Sequence, residues 1–395
     1  MKVAFIYATF PRPTETFVRR ELRSLIKIGF KPDIYSIWQG HNDWEGNKVF
    51  RFPMCDILKL FYWLPYWAWV NPRSFIIVLK HIFGNPCPGF QNWNETFLGF
   101  AFGLVRARDF QSKNYQRIHG VWATMPATAV YIIHLLTEIP YSFGAHAYDV
   151  FRYRGDWLLT YKLRRARFVR TSSQSTARRL QLLGLEKEKI NLIRRSLTEW
   201  PKRSNFSLHT PSRLSLLAVG RLVPKKGYFH LLKIAKLVDQ AKIPFHLSLV
   251  GAGPLAHDLA LECRRLGLAS KVSFLGSQSE SDLKEIFLGQ DCLLFTGIID
   301  RRGDRDGTPN VILESMAAGL LILASNKAGA MEAFEHQQSG FSLDPASYKE
   351  WVQLLKEFYQ DSTRFEKIRR IAMQQAREKF DSEHNAAKIR DQFFH

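Results

Sequence analysis

Cysteine is scarce in this chain of 395 residues: there are four, Cys55, Cys87, Cys263 and Cys292. They are scattered too widely for a zinc knuckle or for the disulfide framework of a small secreted domain, and a reducing compartment, the cytoplasm, fits that usage. Long apolar runs are missing too. No window offers the roughly 18 to 20 uninterrupted apolar residues that span a bilayer. The N-terminal MKVAFIYATFPRP has one lysine and a short apolar run before Pro11, without the apolar length and cleavage site of a signal peptide, and reads as a first buried strand. Acidic residues are in deficit, 36 against 56 Lys and Arg, for a formal charge of +20. Such a surface draws anionic partners: nucleic acid, lipid headgroups or phosphorylated substrates. No internal repeat or low-complexity tract occurs.

What is present is apolar periodicity nearly end to end, with 46% hydrophobic residues, enough to build cores without disulfides or metals. Length predicts two domains. Short β-branched runs alternate with amphipathic helical stretches, the pattern of parallel sheets covered by helices on both faces. In the first half the strands are KVAFIYA, PDIYSIW, RIHGVW, PYSFGAH, RFVRTS and INLIRRS, with helices at TETFVRRELRSLIKIG, PATAVYIIHLLTE and STARRLQLLG. In the second they are LSLLAVG, HLSLVGAG, KVSFLG, CLLFTG and LLILAS, with helices at YFHLLKIAKLVDQA, LAHDLALECRRLG, SDLKEIFLG and PNVILESMAAG.

Two segments break this rhythm. Between Gly40 and Gln116 the chain is crowded with aromatics, as in LFYWLPYWAWV and SFIIVLKHIFG. This insertion reads either as a helical layer on the N-terminal sheet or as an interfacial surface touching membrane or a lipid-linked acceptor. Around WPKRSNFSLHTPSR the composition turns polar and periodicity is lost, which marks a linker. The expected division is 1–205 for an N-terminal domain with an insertion over about 40–116, and 206–375 for a C-terminal domain. The final stretch is helical and is expected to fold back on the first domain, completing it from about 376 to 395.

Three groups of residues carry chemistry. Gly220, Arg221 and Lys226 follow the strand LSLLAVG, at the carboxyl end where α/β sheets bind ligands; glycine allows close backbone approach, and the two cations can clamp a diphosphate. In DGTPNVILESMAAG, Thr308 can cap a helix, Pro309 can occupy its first turn and Gly319 can end it. Its N-terminus suits an anionic diphosphate, with Asp306 before it and Glu314 within it as hydroxyl acceptors, for the transferred sugar and a ribose respectively. In FGAHAYDV, His146 stands at a strand end with Asp149 three residues on, placed to position a sugar. Each has a plainer account taken alone: a solvated basic loop, a surface acid, a structural histidine.

Together these motifs resemble the family 4 retaining glycosyltransferases, which have the GT-B fold, two facing Rossmann-like doubly wound domains with an interdomain cleft. The family's G-R-L-x-x-x-K-G segment appears as GRLVPKKG, its E-G-x-P-x-x-L-x-E-A-M-A segment as DGTPNVILESMAA and its histidine motif as AHAYD, with GAGPL, VSFLG and REKFDSE as weaker support. FPRPTETFVRRELRSL looks like the subgroup that builds colanic acid and other surface exopolysaccharides. The resemblance implies a retaining, metal-independent hexosyltransferase with no cofactor, using a UDP- or GDP-linked sugar as donor substrate. Its acceptor is a glycan or lipid-linked molecule, and its place is cytoplasmic or peripheral on the inner face of an anionic membrane.

Residue by residue, it implies that Arg221 and Lys226 hold the diphosphate, Glu314 the ribose and Asp306 the donor sugar, with Gly220, Gly253, Thr308, Pro309 and Asn310 around the donor. His146 orients the sugar, and Thr14, Glu15, Thr16 and Asp149 line the acceptor side. No enzyme nucleophile is required, and two cations with a helix end can replace magnesium. Asp306 stands where the family usually has glutamate, and Arg195 and Ser196 stand where relatives typically turn on asparagine and glycine. Two competing classes are a nucleic-acid-binding protein, from the +20 charge and Arg164, Arg165, Arg167 and Arg170, and a membrane-attached scaffold without catalysis.

Overall fold

The computed structural model describes residues 1–12, 15–152, 155–197, 212–327 and 329–394, which fall into two compact units, Met1–Arg194 with Glu383–His395, and Arg195–Ser382.

The first unit runs β1 (Val3–Phe10), α1 (Thr16–Lys27), β2 (Asp33–Gly40), β3 (Asp43–Trp44), β4 (Asn47–Arg51), α2 (Leu60–Val70), α3 (Pro72–Phe83) and α4 (Phe90–Ser112). It continues through β5 (Arg117–Gly120), α5 (Met125–Thr137), β6 (Tyr141–Gly144), α6 (Tyr148–Phe151), α7 (Leu159–Arg165), β7 (Val169–Thr171), α8 (Gln174–Leu182) and β8 (Ile190–Leu192). Its eight strands lie in the order β3-β4-β2-β1-β5-β6-β7-β8, parallel except where β3 meets β4. The strands read as apolar runs because both faces are covered. Val18, Leu22 and Leu25 of α1 pack on one face, and Phe102, Leu104, Val130 and Ile133 of α4 and α5 on the other.

The second unit contains β9 (Leu214–Val219), α9 (Tyr228–Gln240), β10 (Phe245–Val250), α10 (Ala256–Arg265), β11 (Val272–Gly276), α11 (Glu280–Leu288), β12 (Cys292–Phe295) and α12 (Asn310–Ala317). It closes with β13 (Leu321–Ser325), β14 (Phe341–Leu343), α13 (Tyr348–Gln360) and α14 (Glu366–Lys379); α15 (Ser382–Phe394) follows. The all-parallel order β11-β10-β9-β12-β13-β14 is that of a doubly wound dinucleotide-type sheet, whose winding reverses between β9 and β12.

Several expectations need correction. The insertion is not helical throughout: Asp43–Arg51 forms a hairpin whose second strand extends the sheet beside β2, and only then do α2, α3 and α4 form a helical layer. Trp67 anchors that layer by donating its indole N–H to Leu104 O at 2.9 Å. β14 was not anticipated.

The units divide at Arg194/Arg195 rather than at 205/206. Leu197 N–H donates to Phe380 O at 2.9 Å, which ties this stretch to the second unit. The final helices do not all return to the first unit either. Ala372 and Ala376 of α14 pack with Ile312 and Leu313 of α12, and only α15 joins the first unit, through Ala386, Ile389 and Phe393. The linker expected over 200–213 lies, up to residue 211, outside the described residues.

Candidate active site

In the second unit the reversal of winding opens a crevice at the carboxyl ends of β9 and β12, the place where such sheets bind ligands. Gly220 ends β9, and Arg221 beside it is exposed. The chain then makes a turn over Pro224–Lys226 and closes on Gly227, at φ +67°. A Cβ there would lie 2.0 Å from Thr296 O, so only glycine lets this turn press on the end of β12. Thr296 Oγ1 donates to Gly227 O at 3.0 Å and clamps the same contact. Gly253 serves a similar approach: Leu222 N–H donates to Ala252 O at 2.9 Å, and a Cβ on Gly253 would stand 2.5 Å from Leu222 O.

The turn delivers two lysines to the loop between β12 and α12. Lys226 Nζ lies 2.7 Å from Asp306 Oδ2, with both side chains mostly buried. Lys225, which sequence reasoning passed over although it adjoins Lys226 in GRLVPKKG, reaches Asp304 Oδ1 at 3.0 Å and Asp306 Oδ1 at 3.5 Å. Burial alone pushes the Asp306 carboxyl up, but the two lysines and Arg195 outweigh it and hold the group below the usual carboxylate range. Asp306 is thus an ionised acceptor with two cations against it.

The cap at α12 differs from the expected one. The helix starts at Asn310 with Pro309 at the N-cap position and no side-chain cap bond, so Pro309 precedes the first turn and Thr308 does not cap it. The proline ring lies where Thr308 was expected to be followed directly by helix. Thr308 Oγ1 is instead buried without a hydrogen-bond partner among the described residues. Arg195 Nη1 donates to Asn310 Oδ1 at 3.1 Å, which brings a third cation to this end of the helix. Glu314 lies half-buried on the next turn. Gly319, at φ +73°, ends the helix as expected, and Arg369 Nε caps it by donating to Gly319 O at 2.7 Å.

In the first unit β6 stops at Gly144, and His146 lies in the loop beyond it, buried, with its ring edge-on to Trp122 at 5.0 Å and to Phe17 at 5.7 Å. Asp149 was expected to line the acceptor side. Its oxygens are taken up by the loop itself, accepting the N–H of Ala147 at 2.7 Å, His146 at 3.1 Å and Ala123 at 3.3 Å. These bonds brace the His146 loop, and burial pushes the Asp149 carboxyl up to about 6. Asp149 also borders a small cavity with Glu95, Thr124, Tyr148 and Asp156, and burial raises Glu95 and Asp156 as well.

Glu15 precedes α1 and accepts from the Trp122 indole at 3.4 Å, while Thr16 opens the helix. Thr14 lies outside the described residues. Arg170, one of the arginines weighed for nucleic acid, is buried and forks onto Glu21. Among the described residues no group of three or more His, Cys, Asp or Glu could hold a metal ion, and no helix is long and apolar enough to cross a membrane.

Two doubly wound parallel-sheet units, the second with a basic, carboxylate-bearing switch point, define the architecture of the GT-B glycosyltransferases. HepE of Anabaena, solved in complex with UDP-glucose, has this fold with a TM-score of 0.71 at 16% identity, all of each chain being covered. Residues 202–379 match the model of the glycosyl transferases group 1 family. It is 24% identical to the protein named colanic acid biosynthesis glycosyltransferase WcaL of Escherichia coli, over 98% of this chain and 97% of that one. It is also 32% identical, over 34% of its length and 35% of the other's, to the GDP-mannose-dependent alpha-(1-6)-phosphatidylinositol monomannoside mannosyltransferase of Mycobacterium tuberculosis.

Proposed function

We propose that this glycosyltransferase moves a hexose-type sugar from a UDP- or GDP-linked donor onto a glycan or lipid-linked acceptor in surface polysaccharide synthesis, with retention at the anomeric carbon and without a metal. The observation that carries the reading is the pairing of Lys226 with Asp306 at 2.7 Å, at the switch point flanked by Arg221 and the start of α12. In this reading the donor diphosphate lies on Arg221 and Lys226, Glu314 accepts from the ribose hydroxyls and Asp306 accepts from the sugar. The UDP-glucose bound by HepE and the GDP-mannose dependence of the mycobacterial relative support a nucleoside-diphosphate sugar as the donor class. Likeness to WcaL over nearly the whole chain supports an exopolysaccharide product.

The step itself needs no enzyme nucleophile. The bond from the anomeric carbon to the diphosphate oxygen breaks as the acceptor oxygen bonds to the same face, and the acceptor's proton passes to the departing phosphate oxygen. Arg221 and Lys226 stabilise the charge that develops there, and His146 orients the sugar. Lys226→Ala is expected to lower turnover by roughly 10²- to 10³-fold, whereas Lys187→Ala, at an exposed lysine, leaves it unchanged. Equal losses in a steady-state transfer assay would remove Lys226 from the site.

A further inference from the structure

The helical layer built by the insertion has two apolar sides. On α2, Leu60, Trp63, Leu64 and Trp67 recur at the spacing of one helix face and pack inward. The opposite face of an ordinary surface helix is polar. Here it carries Phe61, Tyr62 and Trp69, with Phe61 83% and Trp69 87% exposed, and the helix LFYWLPYWAWV contains no charged residue. Phe83 at the end of α3 and Phe90 at the start of α4 are 80% and 82% exposed. Side chains this exposed, on three consecutive helices, are apolar area that water does not favour.

Along this stretch the sequence carries charge of one sign, although Lys59 is paired with Asp56 at 2.7 Å. From Ile57 to Asn94 the chain contains Lys59, Arg73 and Lys80 but no Asp or Glu. On α3 the exposed positions Arg73, Ile76, Lys80 and Phe83 fall on one stripe, alternating cation and apolar side chain. Arg73 and Lys80 make no ion pair among the described residues. Aromatic rings flanked by unpaired cations match the boundary between acyl chains and anionic headgroups, where rings sit at headgroup level and lysine and arginine meet phosphate.

We infer that the outward faces of α2 and α3, with Phe90 at the start of α4, form a docking surface for an anionic phospholipid bilayer. The surface lies on the layer and not in the sheet, so it adds membrane attachment without altering the strands that carry His146. It deepens the functional reading by giving a lipid-linked acceptor a place to be met, yet its failure leaves glycosyl transfer standing.

Co-sedimentation of the full chain with vesicles tests it, comparing phosphatidylglycerol/phosphatidylcholine mixtures with phosphatidylcholine alone. The wild type is expected to bind the mixed vesicles, less so as salt rises, and to bind neutral vesicles weakly. Phe61→Ser/Trp69→Ser is expected to weaken that binding on the order of tenfold or more, with unchanged donor binding and an unchanged far-ultraviolet spectrum. Trp69→Phe keeps binding but loses part of the tryptophan quenching by brominated lipid. Wild type left in the supernatant, equal binding to neutral vesicles, or undiminished binding by the double variant would each overturn the inference. So would self-association through this face, lost in the double variant, in a chain that ignores vesicles. Lost donor binding in the wild type would instead strike the functional reading.

Discussion

At the scale of single residues, two buried carboxylates, Asp306 and Asp149, differ by what stands against them. Asp306 has Lys226, Lys225 and Arg195 nearby and is held ionised below the usual range. Asp149 has backbone N–H groups and no cation against it, and there burial wins, lifting the carboxyl from 3.8 to about 6. The sign of the consequence follows. Between those values the native state holds a proton that the unfolded chain has lost, so the contribution of Asp149 to stability is full below the lower value and declines as pH rises through the upper one. The change is on the order of 3 kcal/mol. Urea unfolding of wild type and Asp149→Asn from pH 4 to 7 should show the wild type losing ground as pH rises; a constant difference would place the Asp149 carboxyl in a more solvated setting.

At the scale of elements, Lys162 shows how a charge can be structural. It is wholly buried on α7, donating to Asp156 Oδ2 at 2.5 Å, Ala123 O at 2.6 Å and Thr128 Oγ1 at 3.3 Å. It thereby ties α7 to α5 and to the loop that follows β5. Removing one partner of a buried pair leaves the other uncompensated. Lys162→Met should therefore cost about 3–5 kcal/mol, measured by chemical denaturation, and a loss under 1 kcal/mol would contradict the bond network. In the sequence this lysine sits in YKLRRARFVR and looks like any other member of a basic run, because pairing with Asp156 is set by tertiary contact.

What was legible has the same logic. β9, β12, α9 and α12 stood out through apolar runs bounded by glycine, and Arg221, Lys226, Asp306 and Glu314 through fixed spacing in motifs. The hairpin β3–β4 alternates over too few residues for a period to register, and the start of α12 was misplaced because a proline after a threonine suits either side of an N-cap. α14 and α15 form one nearly continuous helical pattern. Which sheet each covers depends on Ala372 and Ala376 meeting α12 and on Phe393 meeting Phe5 and Phe30, and periodicity carries no such address.

At the scale of the molecule, the +20 charge resolves into different local uses. Arg170 is consumed internally by Glu21, Arg73 and Lys80 lie on the aromatic layer, and Arg195, Arg221, Lys225 and Lys226 gather at one switch point of the second unit. In the proposed function the last group makes that unit the donor-binding half, and Glu314 is the residue through which a nucleoside would be distinguished from a bare phosphate. Calorimetric titration of UDP-glucose and GDP-mannose into wild type and Glu314→Gln tests this directly. One donor should bind the wild type, with its dissociation constant raised on the order of tenfold by the substitution, the loss of a charged hydrogen-bond acceptor. An unchanged constant in Glu314→Gln, or no binding of either nucleotide sugar to the wild type, would contradict the account.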